Sequence, residues 1–447
     1  MKKIPAFLAI AVIVVAAWLY WFATRIPSSP FDGAAIERPP ITLQQGEYAA
    51  RLGDCVACHS IKDGPAFAGG LEMGTPLGSI FSTNITPDKQ TGIGNYTLAD
   101  FDNAVRRGVA PDGRRLYPAM PYPSYEKLSD GDVLALYNYF MNHVEPVHQA
   151  NRPSRIPPPL NMRWPLAFWN SLFTDGAYRS DRTKDASWNR GAYLVQGPGH
   201  CGACHTPRGL AMQEVSLDGG KPQFLSGTNL DGWYVPSLRN DHNTGLGRWS
   251  EQDIVAYLKD GRNQHGVVFG PMAEVVNNST AFVSDEDLSA IAHYLKSFEG
   301  DPERDGKPWV YKPGLLQSSS TTGAMSVLPG AQAYAARCGF CHGPDGKGRS
   351  PWMPPLAGTS AVLSKDPASM INITLNGSLR VVSGGTPDLY RMPSFREQLS
   401  DQQIADLMTY IRSSWGNEAP PVAAQAVGAM REHSDAATSE VIILQMR

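Results

Sequence analysis

The sequence predicts a mainly α fold: three tandem helical domains with long ordered loops, preceded by one N-terminal transmembrane helix. Three observations predict it. A Cys-X-X-Cys-His pattern occurs three times, a helix opened by Ser-Asp follows each copy at a distance, and an uncharged apolar run of 18 residues stands near the start. At 447 residues and 42% hydrophobic, the chain has material for more than one core. Its 43 Gly and 36 Pro predict many ordered loops around short elements. The formal net charge is -3 with Lys and Arg scattered, so the footprint of a nucleic-acid binder is missing.

The first element is the run Ala6–Ala23, "AFLAIAVIVVAAWLYWFA", flanked by Lys2 and Lys3 before it and Arg25 after it. That length spans a bilayer. A cleaved secretory signal is the alternative, but its apolar region is normally about 7–15 residues long and ends in small side chains. This run ends in Trp18, Tyr20 and Trp21. The reading is therefore a retained anchor over residues 1–27. Lys2 and Lys3 stay cytoplasmic, and everything from about Ser28 onward faces the periplasm, as in a single-pass protein of the inner membrane.

Six cysteines in an oxidising compartment ordinarily form disulfides. Here all six fall into three copies of one pattern: Cys55, Cys58, His59; Cys201, Cys204, His205; and Cys338, Cys341, His342. Two thiols on one turn reach the two vinyl groups of a haem, and the adjacent imidazole lies beneath the iron. A zinc site needs a second Cys or His pair for each motif, and no cysteine is left over. A thioredoxin-like dithiol needs neither the histidine nor three copies. The pattern thus predicts three covalently bound haem c groups.

The sixth position on each iron separates carrying electrons from substrate chemistry. Met120, Met272 and Met392 lie 61, 67 and 50 residues after their histidines, each in loop-like sequence before a repeated helix. Those helices read "SDGDVLALYNYF", "SDEDLSAIAHYL" and "SDQQIADLMTYI". Ser129, Ser284 and Ser400 are N-cap candidates, and Gln403 completes a capping box where Asp132 and Asp287 only approximate one. Apolar residues recur 4, 7 and 11 positions after each Ser: Val133, Leu136, Phe140; Leu288, Ile291, Leu295; Ile404, Leu407, Ile411. The shared placement makes the three methionines the predicted sixth ligands. Met141 and Met408, on predicted helices, read as packing. His143, His265 and His293 are the rival ligands and read as ordinary surface or core histidines.

These repeats organise the chain into domains at 42–148, 187–299 and 326–416. A Pro-rich and aromatic linker, 149–186, carries Trp164, Phe168, Trp169 and Phe173, read as packing at a domain joint, with contact to membrane, quinone or partner as the alternative. A second linker, 300–325, runs into Ser/Thr sequence, and residues 417–447 read as a flexible tail. A further echo, "TGIGNYTLADFDNAVRRG" and "TGLGRWSEQDIVAYLKDG", sets Thr97 and Ser250 at matching cap positions. Arg106, Arg107, Lys259 and Arg262 nearby read as solvated, with haem propionates as the alternative partners.

The stretches "ARLGDCVACH", "STNITPD", "YPAMPYPSY", "GPGHCGACHTPRG", "PSLRND" and "RMPSF" resemble the three-haem cytochrome c subunits of membrane-bound periplasmic dehydrogenases, the alcohol dehydrogenase type above all, over nearly all of residues 44–417. The resemblance implies three cytochrome c-like domains and no substrate chemistry or catalytic residue in this chain. It implies electrons received from a separate catalytic subunit, alongside a small third subunit, and delivered to membrane ubiquinone. An N-terminal anchor and a short tail depart from the alcohol dehydrogenase members. The catalytic partner therefore stays open among quinoprotein (PQQ), molybdenum and flavin types. The rival readings are a cytochrome subunit feeding a terminal oxidase and a peroxidase-like haem enzyme with one open iron.

Overall fold

The computed structural model describes residues 3–33, 42–313, 329–384 and 386–437, with residues 3–9 described by backbone alone. The fold is mainly helical, with three short antiparallel hairpins. Helix α1 (Lys3–Thr24) is unbroken over 22 residues, since its one proline, Pro5, falls in the first turn. Among the described residues no helix is long and apolar enough to cross a membrane. The side chains of residues 6–9, part of the expected span, lie outside that description, so the fold by itself does not carry the transmembrane assignment.

The first repeat comprises α2 (Leu43–Leu52), the motif turn α3 (Cys55–His59), the hairpin β1 (Glu72–Thr75) and β2 (Gly78–Phe81), then α4 (Leu98–Arg107), α5 (Tyr122–Tyr125) and α6 (Asp130–Asn142). Its core gathers Ala50, Val56, Phe67, Val133, Tyr139 and Phe140. Helix α7 (Leu166–Phe173) lies in the connector. The second repeat follows with α8 (Ala186–Gln196), the motif turn α9 (Gly202–His205), β3 (Thr228–Leu230) paired with β4 (Trp233–Val235), α10 (Glu251–Asp260), α11 (Pro271–Asn278) and α12 (Asp285–Lys296). After the short α13 (Pro302–Asp305), the third contains α14 (Ala331–Arg337), the motif turn α15 (Gly339–His342), α16 (Ser360–Leu363), α17 (Ala368–Asn376), β5 (Val382–Ser383) with β6 (Thr386–Pro387), α18 (Asp401–Arg412) and α19 (Ala424–His433).

Each repeat packs the helix before its motif against the Ser-capped helix at its end: α2 on α6, α8 on α12 and α14 on α18. A glycine stands at each crossing. A Cβ on Gly46 would lie 2.5 Å from Tyr139 Cβ, one on Gly191 would lie 2.0 Å from the Ala290 carbonyl oxygen, and one on Gly330 would lie 2.2 Å from the Asp406 carbonyl oxygen. Ser129, Ser284 and Ser400 accept from the backbone N–H of Asp132, Asp287 and Gln403, and only the third forms the full capping box. Thr97 and Ser250 cap α4 and α10 with reciprocal Asp100 and Asp253.

Two expectations are corrected. Arg106, Arg107, Lys259 and Arg262 are not simply solvated. Arg106 is buried and pairs with Asp102 and, at 2.8 Å, with Asp130; Arg107 also reaches Asp102. Buried Arg262 pairs with Asp388 at 2.6 Å, and Lys259 donates to the Val283 carbonyl at 2.8 Å. A cation out of water needs a partner, and the fully buried carboxylate of Asp102 supplies one for two arginines. Residues 417–437 are likewise no flexible tail. Val422 and Val427 are buried in the third core, and Arg431 of α19 binds Asp401 at 2.8 Å. The remainder of the tail, 438–447, the Ser/Thr end of the second linker, 314–325, and the first residues of the expected third domain, 326–328, lie outside the described residues.

Candidate functional site

The three motif histidines share one local construction. His59 Nδ1 lies 2.7 Å from the Thr83 carbonyl oxygen, His205 Nδ1 lies 2.8 Å from that of Pro236, and His342 Nδ1 lies 2.9 Å from that of Pro354. The histidine's own carbonyl in turn accepts from a glycine N–H: Gly69 at 2.7 Å, Gly227 at 2.8 Å and Gly348 at 2.9 Å. All three glycines have positive φ, at 74°, 83° and 67°. Each also sits where a Cβ would strike the segment carrying the acceptor. The nearest atoms would be the Thr83 carbonyl carbon at 2.4 Å, the Val235 carbonyl oxygen at 2.8 Å and the Met353 carbonyl oxygen at 2.3 Å. The side chain that glycine lacks is what lets the acceptor strand close on the imidazole.

This clamp sets the tautomer. With Nδ1–H donated to a carbonyl, the Nε2 lone pair is left for a metal, and the hydrogen bond raises its basicity. Burial lowers the pKa of all three imidazoles, that of His205 to about 4, so the neutral, ligating form prevails. Burial also pushes the thiols of Cys55, Cys58 and Cys201 up to about 12 and that of Cys338 to about 11, and raises Cys204. All six cysteines are free of disulfides.

In the third repeat, one mostly apolar cavity of about 490 Å³ is lined by Cys338, His342, Met392, Leu407, Met408 and Ile411. Trp249 and His265 of the second repeat and Trp309 of the connector complete its wall. Met392 is fixed by hydrogen bonds on both sides of its backbone, to Ser378 Oγ at 3.0 Å and from Ser378 N at 3.0 Å. The Cys338 thiol, with Cys341 three residues on in the same motif turn, an imidazole with Nε2 spare and a methionine sulfur around one apolar space fit a haem held by thioethers. Among the described residues no three His, Cys, Asp or Glu side chains gather into a set for a bare metal ion. Met120 packs on the same core cluster as Cys55. Met272 is different: it joins a small cluster with Val268, Ala273, Val276 and Val381, apart from the one holding Cys201.

The rival histidines have other partners or places. His293 lies 3.2 Å from Glu251 and 3.3 Å from Asp185, His265 stacks on Trp249 with centroids 5.2 Å apart, and His143 ends α6. Met408 is buried core, as its helical position predicts, and also touches the third cavity.

The first two motifs abut. Just before Cys201, His200 Nε2 lies 3.4 Å from the carbonyl oxygen of Gly53, two residues before Cys55. Tyr125 packs edge-on against His200 at 5.6 Å and donates to Gly53 O at 2.6 Å. Asp54, buried between them, is pushed up to about 8 by desolvation, with Glu274 of α11 adding to the rise. Composition and spacing gave no sign of this joint, nor of the acceptors Thr83, Pro236 and Pro354. The first two acceptors do fall within or beside the recognisable stretches "STNITPD" and "PSLRND".

A family model described as cytochrome c matches residues 189–299 and 327–415. The cytochrome c subunit of alcohol dehydrogenase (quinone) from Komagataeibacter europaeus is 48% identical over 396 residues, covering 87% of this chain and 84% of that one. The gluconate 2-dehydrogenase cytochrome c subunit of Pantoea cypripedii is 47% identical, over 87% of this chain and 89% of its own. The fructose dehydrogenase cytochrome subunit of Gluconobacter japonicus is 37% identical, over 91% and 85%. With this similarity running through nearly the whole described body, the chain belongs to the family of covalent haem c-binding cytochrome subunits of alcohol, gluconate and fructose dehydrogenases.

Proposed function

We propose that the chain is a triheme electron conduit, held to the inner membrane by α1 with its bulk in the periplasm, that takes electrons from a catalytic dehydrogenase subunit and passes them to ubiquinone. The observation that carries this reading is the threefold clamp: His59, His205 and His342 each stand beside a Cys-X-X-Cys segment with Nδ1 bound to a carbonyl. Each cysteine thiol would hold the haem as a thioether, its S–H added across a vinyl C=C bond with no net oxidation. When bound, haem supplies one-electron exchange between ferric and ferrous iron. The chain's own residues do the rest. The clamped imidazoles together with Met120, Met272 and Met392 would hold the iron, and apolar side chains would keep water away. With those residues as ligands the irons would carry electrons, which favours relay over peroxidase or oxidase chemistry.

The anchor reading is supported by the unbroken α1 helix. At about 1.5 Å per residue its 22 residues extend about 33 Å, close to the hydrocarbon thickness of a bilayer. The quinone-linked partner is supported by the alcohol dehydrogenase (quinone) relatives, and the partner's cofactor type (PQQ, molybdenum or flavin) is read by isolating it with this chain in detergent. The intact mass of the acid-acetone-washed protein is expected to exceed the polypeptide by three haems; two or fewer rejects the triheme reading. Replacing Met120, Met272 or Met392 by Ala is expected to remove about one third of the near-infrared sulfur-to-iron band in each case. An unchanged band excludes that methionine as a ligand.

A further inference from the structure

Helix α7, "LAFWNSLF", contains no charged residue and buries only Ala167. One side is fastened to the body of the protein. Asn170 accepts from Tyr122 Oη at 2.7 Å and donates to the Arg107 carbonyl at 3.0 Å, while Trp169 Nε1 donates to the Ala211 carbonyl at 2.9 Å. A second side meets α1. Phe168 packs on Phe22 with centroids 4.9 Å apart, and Phe22 stacks on Trp18 at 5.6 Å. What remains is open: Leu172 is 72% exposed, Trp164 and Leu160 are 51% and Met162 is 47%.

This open surface continues without a break into the C-terminal half of α1, where Trp18, Tyr20 and Trp21 are exposed and the Arg25 guanidinium lies over the rings of Trp21 and Phe22. Neither segment carries an acid: residues 157–173 contain Arg163, residues 10–31 contain Arg25, and no Asp or Glu occurs in either. Aromatic rings, aliphatic side chains and guanidinium groups without opposing carboxylates are the composition of a membrane–water boundary. A patch of this kind, fixed rigidly rather than left on a mobile loop, is shaped for a flat apolar partner.

We infer that α7 and the loop at 160–164 form a membrane-surface foot, resting in the headgroup layer of an anionic phospholipid bilayer beside the point where α1 leaves it. The inference rests on the reading of α1 as the anchor. Lipid is favoured over a protein partner because the patch joins α1 at its membrane-boundary end through Phe168 and Phe22, and because it carries no acid while Arg25 complements lipid phosphates; Arg163 is held over the Tyr117 ring and donates to the Arg115 carbonyl. The foot fixes the orientation of the first repeat, since Tyr122, bound by Asn170, is two residues from Met120.

The test uses the full chain with its haems in phosphatidylethanolamine and phosphatidylglycerol vesicles containing a photoactivatable diazirine phospholipid, with adducts mapped by mass spectrometry. Adducts are expected within 160–173 as well as within α1. The double variant Trp164→Ser, Leu172→Ser is expected to lose adducts in 160–173 by about fivefold or more while keeping its visible spectrum, its haem content and the adducts in α1. Adducts on α1 with none on 160–173 overturn the foot and leave the anchor standing. Adducts on neither overturn both. Crosslinks from 160–173 to a copurified dehydrogenase chain in place of lipid assign the patch to that protein and also overturn the proposal.

Discussion

Gly69, Gly227 and Gly348 do for this chain what its better-known cysteines and histidines cannot do alone: they let a carbonyl reach the back of each imidazole. Gly348→Ala is expected to destabilise the third repeat by about 1–3 kcal/mol, because φ is 67° and the added methyl meets backbone rather than a movable side chain. With His342 as the proposed iron ligand, the same change would push the Pro354 acceptor away and weaken the imidazole's donation, so a reduction potential is expected to move positive. A potentiometric titration with every potential unchanged contradicts the clamp. The cysteines and histidines were legible because their chemistry fixes their spacing. The glycines were not, because 43 are spread over the chain and nothing in the local sequence marks which ones need a left-handed backbone.

The Ser-capped helices were the most readable elements, since cap, stripe and spacing agree in all three, down to the single complete capping box at Ser400. Their partners were harder to place, because Gly46 and Gly191 inside helices read as weak helix formers when the property that matters is the lack of a side chain at a crossing. Gly191→Ala is expected to cost roughly 2–3 kcal/mol or more, since a Cβ there would lie 2.0 Å from the Ala290 carbonyl oxygen. Differential scanning calorimetry should show the second repeat melting several degrees lower; an unchanged melting temperature removes the crossing from the stability argument. Arg106 and Arg107 were misread for a related reason. Asp102 stands four residues before Arg106, a spacing that suits a pair on one helix, but the burial that makes the pair matter is not written in the local sequence. The tail was misread because Val422 and Val427 look isolated in an Ala-rich polar stretch.

Across the whole molecule, the order of repeats could be read from the chain, but how they meet could not. The second and third are joined by Asn277 donating to the Arg380 carbonyl at 3.0 Å, by Val382 N donating to Asn277 Oδ1 at 2.8 Å, and by Ser383 with Asp260 at 2.7 Å. The first and second are joined by Tyr48 donating at 2.5 Å to Asp287, a carboxylate that Arg190 of the second repeat also binds at 2.7 Å, and by Arg51 over the Phe282 ring at 3.7 Å. These contacts couple residues hundreds of positions apart, which no local pattern records. Limited proteolysis checks the coupling. A chain with Cys201→Ala and Cys204→Ala, which removes both thiols of the second motif, is expected to be cut near 53–60 in the first repeat as well as in the second. Cleavage confined to the second repeat refutes the coupling.

The meeting of His200 with Gly53 also bears on how the protein is made. In the finished fold the Cys55–His59 and Cys201–His205 segments adjoin through His200 and Gly53, beside the buried carboxyl of Asp54. Each segment keeps access to solvent, Cys58 most of all, so a group could still be attached at one after the two have met.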